Sequence, residues 1–282
     1  MLVVCALADG CARRGSESPP AAAISVTPDR VDVAIGSPLD FTYRFTIAPD
    51  TPSIPADQVV FVHFLDVRGE RIWADDHDPP LPTGRWAAGA TVEYTRTMFV
   101  PRLPYIGEVR VLAGLYSPRT GERVPLAGED AGNRAYVVSR LTVRLPTDDV
   151  PVAFEQGWHE PEVSEDGTRD WQWSRQEATL SFPNPRRDLQ LLLEVDQPEN
   201  AFPDGQQVTV ALGAAEVDRF VLRWGKRELR RVALTAGQLG TARTVEIRVM
   251  VDKTFVPAKR AARSGDTREL GVRVFRAYVE PK

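Results

Sequence analysis

Past residue 11 the chain has no cysteine; Cys5 and Cys11 both lie near the N-terminus. A disulfide framework in the body is thereby excluded, and stability has to come from packed cores. Histidine is nearly as scarce. His63, His77 and His159 are the whole supply, which leaves general acid–base chemistry few players. No stretch approaches the roughly 20 apolar residues of a membrane-spanning helix, so a membrane link would be an anchor and not a span. Long segments with the 3.6-residue apolar period are missing, which argues against α/β architectures. Gly-x-Ser-x-Gly, His-Glu-x-x-His and phosphate-loop patterns are absent too. Basic excess is lacking: the net charge of -4 argues against a nucleic-acid partner.

What is present is alternation. Hydrophobic residues make up 43% of the 282-residue chain and charged ones 26%, a globular balance long enough for two cores. Val31, Val33 and Ile35 alternate with Asp32 and Ala34, and Phe41, Tyr43, Phe45 and Ile47 alternate with Thr42, Arg44 and Thr46. Such a pattern puts one set on a core and the other in solvent. The run from Val59 to Asp66 is almost wholly apolar and reads as a strand covered on both faces, paired through a turn with Arg71–Ala74. A second hairpin is expected from Val109–Tyr116 and Glu122–Leu126 around Ser117-Pro118-Arg119-Thr120-Gly121. Tyr136–Leu145 closes this unit.

Pro146–Pro151 reads as a semi-stiff linker. Beyond it, strands are expected at 178–182, 189–195, 208–212, 219–222, 230–234, 245–251 and 270–279, with helical turns only at 235–241 and 258–262. The fold class is therefore all-β, two tandem β-sandwich domains at 24–146 and 152–282, because evenly spaced strands with turns between them read as sandwiches or jelly rolls. Residues 1–23 form a leader and tether: the apolar run Leu2–Ala8, then Cys11, then a small and polar stretch. That arrangement looks like a clipped lipoprotein leader, with Cys11 lipidated and the protein exported and membrane-anchored, periplasmic or at the cell surface. Nothing basic precedes the short run, Ala8 stands where a lipobox carries Leu, and Asp9 is unusual there. The alternative is the N-terminus of a cytosolic chain with two incidental thiols.

Four polar residues in a row, Asp75-Asp76-His77-Asp78, with His63 on the neighbouring strand, are the richest polar cluster. Oxygen ligands suit calcium, so Asp75, Asp76 and Asp78 are a candidate structural calcium site, weighed against a proline-braced turn whose aspartates bond backbone N–H groups. No other cofactor is expected. Trp158, Trp171 and Trp173 gather around one polar loop with Glu160, Gln172 and Arg175. Flat indole faces stack on sugar rings and the polar neighbours can bond hydroxyls, so these six are the candidate ligand-binding residues. The competing reading is that at least one tryptophan fills a core. Trp73 and Trp86 read as core or loop anchors. Glu160 and Glu162 would share a strand face about 7 Å apart, near the spacing of an inverting glycosidase. Asp266-Thr267-Arg268 reads as an ion-paired turn, its arginine shared with Asp252 or Glu246.

Two sets of residues carry a resemblance. Phe61–Asp66, Gly69, Asp75–Pro80, Pro82-Thr83, Trp86, Gly89, Gly114-Leu115-Tyr116 and Gly121-Glu122-Arg123 resemble an immunoglobulin-like accessory domain of bacterial envelope proteins, including extramembrane parts of polyisoprenyl-phosphate-dependent glycosyltransferases. Gly157–Glu162, Trp171-Gln172-Trp173 and Gly265–Val272 look like a jelly-roll or carbohydrate-binding-module-like domain that accompanies similar proteins. The resemblance implies a location and an architecture, not an activity. The expected function is a non-catalytic envelope lipoprotein that binds carbohydrate or another envelope protein. The rivals are a scaffold of a membrane glycan-assembly system and a polysaccharide hydrolase.

Overall fold

The computed structural model describes residues 18–282 except 52–53, 148, 166, 168, 198–200 and 262–263. Almost all regular structure is β, and the chain divides after Thr147 into two compact units. Among the described residues no helix is long and apolar enough to cross a membrane.

The first unit holds β1 (Ala22–Pro28), β2 (Asp32–Ala34), β3 (Pro38–Ile47), β4 (Val59–Leu65), β5 (Arg71–Ala74), β6 (Thr91–Phe99), β7 (Gly107–Tyr116), β8 (Leu126–Ala127), β9 (Glu129–Asp130) and β10 (Tyr136–Arg144). One sheet runs β6-β3-β1-β8 and the other β2-β10-β7-β4-β5, with β9 on β10. With β1, β3 and β6 in one sheet and β4, β5, β7 and β10 in the other, the strands follow the immunoglobulin order. The alternating residues Phe41, Tyr43 and Phe45 of β3 are fully buried. No disulfide joins the sheets; aromatic packing does. Phe41 meets Phe64 of the opposite sheet at 5.9 Å between centroids, and Phe45 meets Trp86 at 4.8 Å. Trp73 stacks on Phe64 at 4.4 Å. β4 is covered on both faces, as its sequence requires: Val60, Val62 and Phe64 join the core. Phe61 lies on the outer side with Leu112 and Ala135, under the Arg123 guanidinium at 4.3 Å.

Three boundaries differ from expectation. Ala22 and Ala23 belong to β1, paired with Ile47 and Thr46, so the tether stops short of residue 23. The second hairpin is cut short after Arg123 bridges Tyr116 and Val124 bonds Leu115. Pro125 has no N–H to continue that ladder, and the chain crosses to pair Leu126 and Ala127 parallel with β1. Val150 bridges Val279, and Val150 and Val152 pack on the second core, so part of the expected linker belongs to the second sandwich.

The second unit comprises β11 (Ala153–Phe154), β12 (Glu162–Val163), β13 (Asp170–Trp173), β14 (Glu177–Pro183), β15 (Leu189–Asp196), β16 (Gln206–Leu212), β17 (Ala215–Leu222), β18 (Glu228–Leu234), α1 (Ala236–Leu239), β19 (Thr244–Val251), α2 (Pro257–Arg260) and β20 (Arg273–Pro281). Two five-stranded antiparallel sheets run β11-β14-β19-β16-β17 and β12-β13-β20-β15-β18. From β13 onward the chain passes back and forth between them except at the β16–β17 hairpin, which stays in one sheet, and this is a jelly-roll-like route. Leu189, Leu191, Leu193 and Val195 of β15 face Val208, Val210, Ile247 and Val249 across the core. The single-turn helix α1 is fixed by a capping box between Thr235 and Gln238.

Candidate functional site

Strand pairing decides what the tryptophans do. On β13, Trp171 and Trp173 project to one side and Gln172 to the other, because successive strand residues alternate. β13 lies beside β20, with Gln172 opposite Val274 and Trp173 opposite Arg273. Val274 is in the core, so Trp171 and Trp173 lie on the outer face of that sheet.

Arg273 organises this face. Its guanidinium is 5.1 Å from the Trp171 ring, 5.4 Å from Trp173 and 4.9 Å from Phe275. It donates two bonds to Asp196 on β15, at 2.7 and 2.6 Å, the bidentate geometry that fixes an arginine best. Arg227 covers the other part of Phe275 at 3.7 Å and reaches Glu194 at 3.3 Å. Trp173 runs edge-on into Phe255 at 5.9 Å, and Phe255 into Phe202 at 6.0 Å. The result is a seam of rings and cations across the sheet. Trp173 is only 6% exposed within it. Trp171 stays partly exposed, and its Nε1–H donates to Glu162 at 3.1 Å.

The six candidate ligand-binding residues therefore do not form one surface. Trp158 turns inward against the core and Phe154, and its Nε1–H donates to the Thr179 carbonyl at 2.7 Å. Gln172 donates to the His159 carbonyl at 3.0 Å, away from both outer tryptophans. Glu160 and Arg175 are exposed. Of the three indoles, Trp171 alone offers an accessible ring on the outer face. Sequence reasoning missed Arg273, Phe275, Asp196 and Phe255, whose distance along the chain hides their adjacency.

Glu162 is committed elsewhere. Its carboxylate accepts from Trp171 and pairs with Arg268 at 2.7 Å. Arg268 also forks onto Asp266 at 2.9 and 2.7 Å, which holds the Asp266 carboxyl down to about 2. The arginine's second partner is thus Glu162, not Asp252 or Glu246.

Among the described residues no group of three or more His, Cys, Asp or Glu is placed to hold a metal ion. Asp75, Asp76 and Asp78 do not converge, because an extended segment sends neighbours opposite ways. Asp75 accepts two bonds from Arg96 of β6, at 2.8 and 2.7 Å. Asp76 accepts from the Val62 N–H at 3.1 Å and stands 3.7 Å from His63. Asp78 is exposed. The cluster is the polar edge of the first core. His77 Nδ1 lies 3.0 Å from the Asp75 carbonyl oxygen, which can only accept, so Nδ1 carries the proton and Nε2 accepts from the Tyr94 hydroxyl at 2.9 Å. Tyr94 stacks on Tyr43 at 5.0 Å.

Burial holds the His77 imidazole below its ordinary 6.5, with the Arg96 charge helping and Asp75 and Asp76 opposing. Burial also lowers His63, against the pull of Asp76. As pH falls below 6.5, the unfolded chain takes up protons that the folded imidazoles refuse. The stability of the first unit is fully present above that window and declines within it. Urea midpoints measured from about pH 7 to about pH 5 should fall for the native chain and fall less for His77→Gln. Parallel slopes would remove His77 from the account.

Two other concavities lack a stacking plane among their described residues. A groove of about 360 Å³ on the outer face of the opposite sheet lies among Gln207, Thr209, Glu216, Arg219, Arg248 and Met250, with no aromatic lining. A cleft of about 1000 Å³ at one end of the first unit has neither histidine nor aromatic ring in its described wall.

Comparison with protein-family models gives no match, and comparison with curated proteins gives none. Solved structures give weak likenesses. The C-terminal domain of wzt is 12% identical with a TM-score of 0.34, over 46% of this chain and 77% of that one. The CBM22-1-CBM22-2 tandem domain of Paenibacillus barcinonensis Xyn10C is 12% identical with a TM-score of 0.30, over 93% of this chain and 91% of that one. The CBM51-2 and INT domains of Clostridium perfringens ZmpB are 9% identical with a TM-score of 0.26, over 63% of this chain and 38% of that one. Likeness at this level leaves the functional argument to the residues themselves.

Proposed function

We propose that this is a non-catalytic, exported envelope protein, lipidated at Cys11, whose second unit binds carbohydrate through the outer face around Trp171. Cys11 lies outside the described residues, and its part of the reading rests on the apolar run and the small, polar stretch after it. The observation that carries the carbohydrate reading is the fixed, partly exposed indole of Trp171. Glu162 holds its N–H, and the Arg273 guanidinium lies over the ring, 5.1 Å from its centroid. Arg276 and Asp170, paired at 2.7 Å, add charged hydrogen-bonding groups at the same strands. A rigid ring flanked by polar groups already in place suits a sugar, whose faces are apolar and whose rim is hydroxyl. The absence of catalysis is supported by Glu162, whose carboxylate is engaged by Arg268 and Trp171 and is not free to act with Glu160.

Binding on so shallow a face should be weak, roughly -4 to -8 kcal/mol. Affinity electrophoresis through gels containing soluble polysaccharides should show retardation by at least one glycan. Trp171→Ala should weaken that retardation about tenfold or more, and Trp171→Phe, which keeps a stacking plane, should retain most of it. Equal retardation of native and Trp171→Ala protein would place binding elsewhere. Retardation by no glycan class would end the carbohydrate reading.

A further inference from the structure

Trp224 is half exposed, at 50%, in the turn that carries the chain from β17 to β18. These are edge strands of the two different sheets. Trp224 and Gly225 form the turn, and Gly225 takes φ +73°, where a side chain is disfavoured. The turn reads Arg223-Trp224-Gly225-Lys226-Arg227, three cations and no acid. Arg227 is drawn back onto Phe275 and Glu194. Arg223 and Lys226 are exposed and have no ion-pair partner among the described residues. Val221, just before the turn, is 49% exposed.

Packing does not account for an indole there. Trp224 belongs to neither unit's apolar core, and its ring meets no other ring among the described residues. It also differs from Trp171, whose ring is held by Glu162 and Arg273. A sugar platform needs that fixity. A bilayer surface does not: an indole partitions into the headgroup layer in many orientations, and neighbouring cations gain from the negative surface potential. An apex of one amphipathic ring between two unpaired cations has the charge and shape for such a surface.

We propose that the Arg223–Arg227 turn docks the second unit on an anionic lipid surface, independently of any acyl chain at Cys11 and of the carbohydrate face. The full chain bearing Cys11→Ser, which cannot be acylated there, should sediment with vesicles of phosphatidylcholine and phosphatidylglycerol and not with phosphatidylcholine alone. Added salt should release it, because exposed charges are screened. The double variant Arg223→Ala/Lys226→Ala should lower partitioning about 30-fold, roughly fivefold for each cation. Trp224→Ala should lower it several-fold while the melting temperature stays put, since the side chain is exposed. Trp171→Ala should leave sedimentation unchanged, which separates this surface from the carbohydrate face. Equal sedimentation with neutral vesicles, or partitioning indifferent to Arg223, Lys226 and Trp224, would overturn the proposal. So would retention on a soluble acidic polysaccharide that depends on these three residues without any vesicle binding; the partner would then be an anionic glycan.

Discussion

Replacing Gly157 by alanine should destabilise the second unit by about 2–4 kcal/mol, as much as many core truncations. Gly157 has φ +82°, and a Cβ there would lie 2.1 Å from the Glu177 carbonyl oxygen and 2.7 Å from the Ala178 Cα. Those are backbone atoms of β14, so no side-chain rotation relieves the overlap. Nor can the segment retreat easily. The Gly157 carbonyl accepts from the Arg175 N–H at 2.7 Å, the Thr179 N–H donates to Gln156 at 2.8 Å, and the His159 N–H donates to Trp173 at 2.9 Å. Moving Gly157 loosens β13 and β14 together. Gly225→Ala is the control: it shares the positive φ, at +73°, but its Cβ would meet nothing within 4 Å, so it should cost only about 1 kcal/mol. Calorimetry of the full chain should show the second unit's transition falling for Gly157→Ala while the first unit's stays. An unmoved second transition would mean that β14 yields more easily than its bonding implies.

The strands were legible where one face is buried. Alternation marked β3 from Phe41 onward, three residues after its start, and the strands expected at 189–195, 208–212 and 245–251 match β15, β16 and β19 to within two residues, because burial on one side and water on the other impose a period of two. Where the chain changes sheets, alternation carries no information. The return from β7 looked like a full hairpin, yet Pro125 ends the ladder and Leu126 joins the other sheet. The stretch around Val150 looked like a linker because its prolines dominate; Val150 and Val152 nonetheless find apolar partners in the second core. Short β-bridges of this kind leave no periodic trace.

The site was legible as a list of tryptophans but not as a surface. That Trp171 and Trp173 share a face follows from alternation alone. That this face is the outer one depends on β20, about a hundred residues later, where Val274 takes the core position and Arg273 the outer one. Trp158 lies close to both in sequence, yet its bridge to Ser174 turns the indole the other way. The partner of Arg268 was hidden for the same reason: Glu162 is 106 residues away. Trp224 was not singled out from the sequence at all, although a Trp-Gly pair between cations, Arg223-Trp224-Gly225-Lys226, is the signal that would have marked it.

The most severe effect on the candidate face itself should come from Trp173 and not from Trp171. Trp173 is 6% exposed, meets Phe255 edge-on at 72°, and forms one wall against the Arg273 guanidinium. Trp173→Ala removes a buried indole that no neighbour can refill, a loss of about 3–5 kcal/mol. It also leaves Phe255 without its ring partner and opens Arg273 to water on one side. The Arg273–Asp196 pair should survive, because both bonds remain and Asp196 is largely shielded at 13% side-chain exposure. Trp171→Ala removes a partly exposed ring and should cost the fold far less. The two variants should therefore separate: Trp173→Ala lowers the urea midpoint of the second unit strongly, while Trp171→Ala chiefly removes carbohydrate retention. A stable Trp173→Ala protein that has lost carbohydrate binding would reverse the assignment, making Trp173 the stacking ring and Trp171 its support.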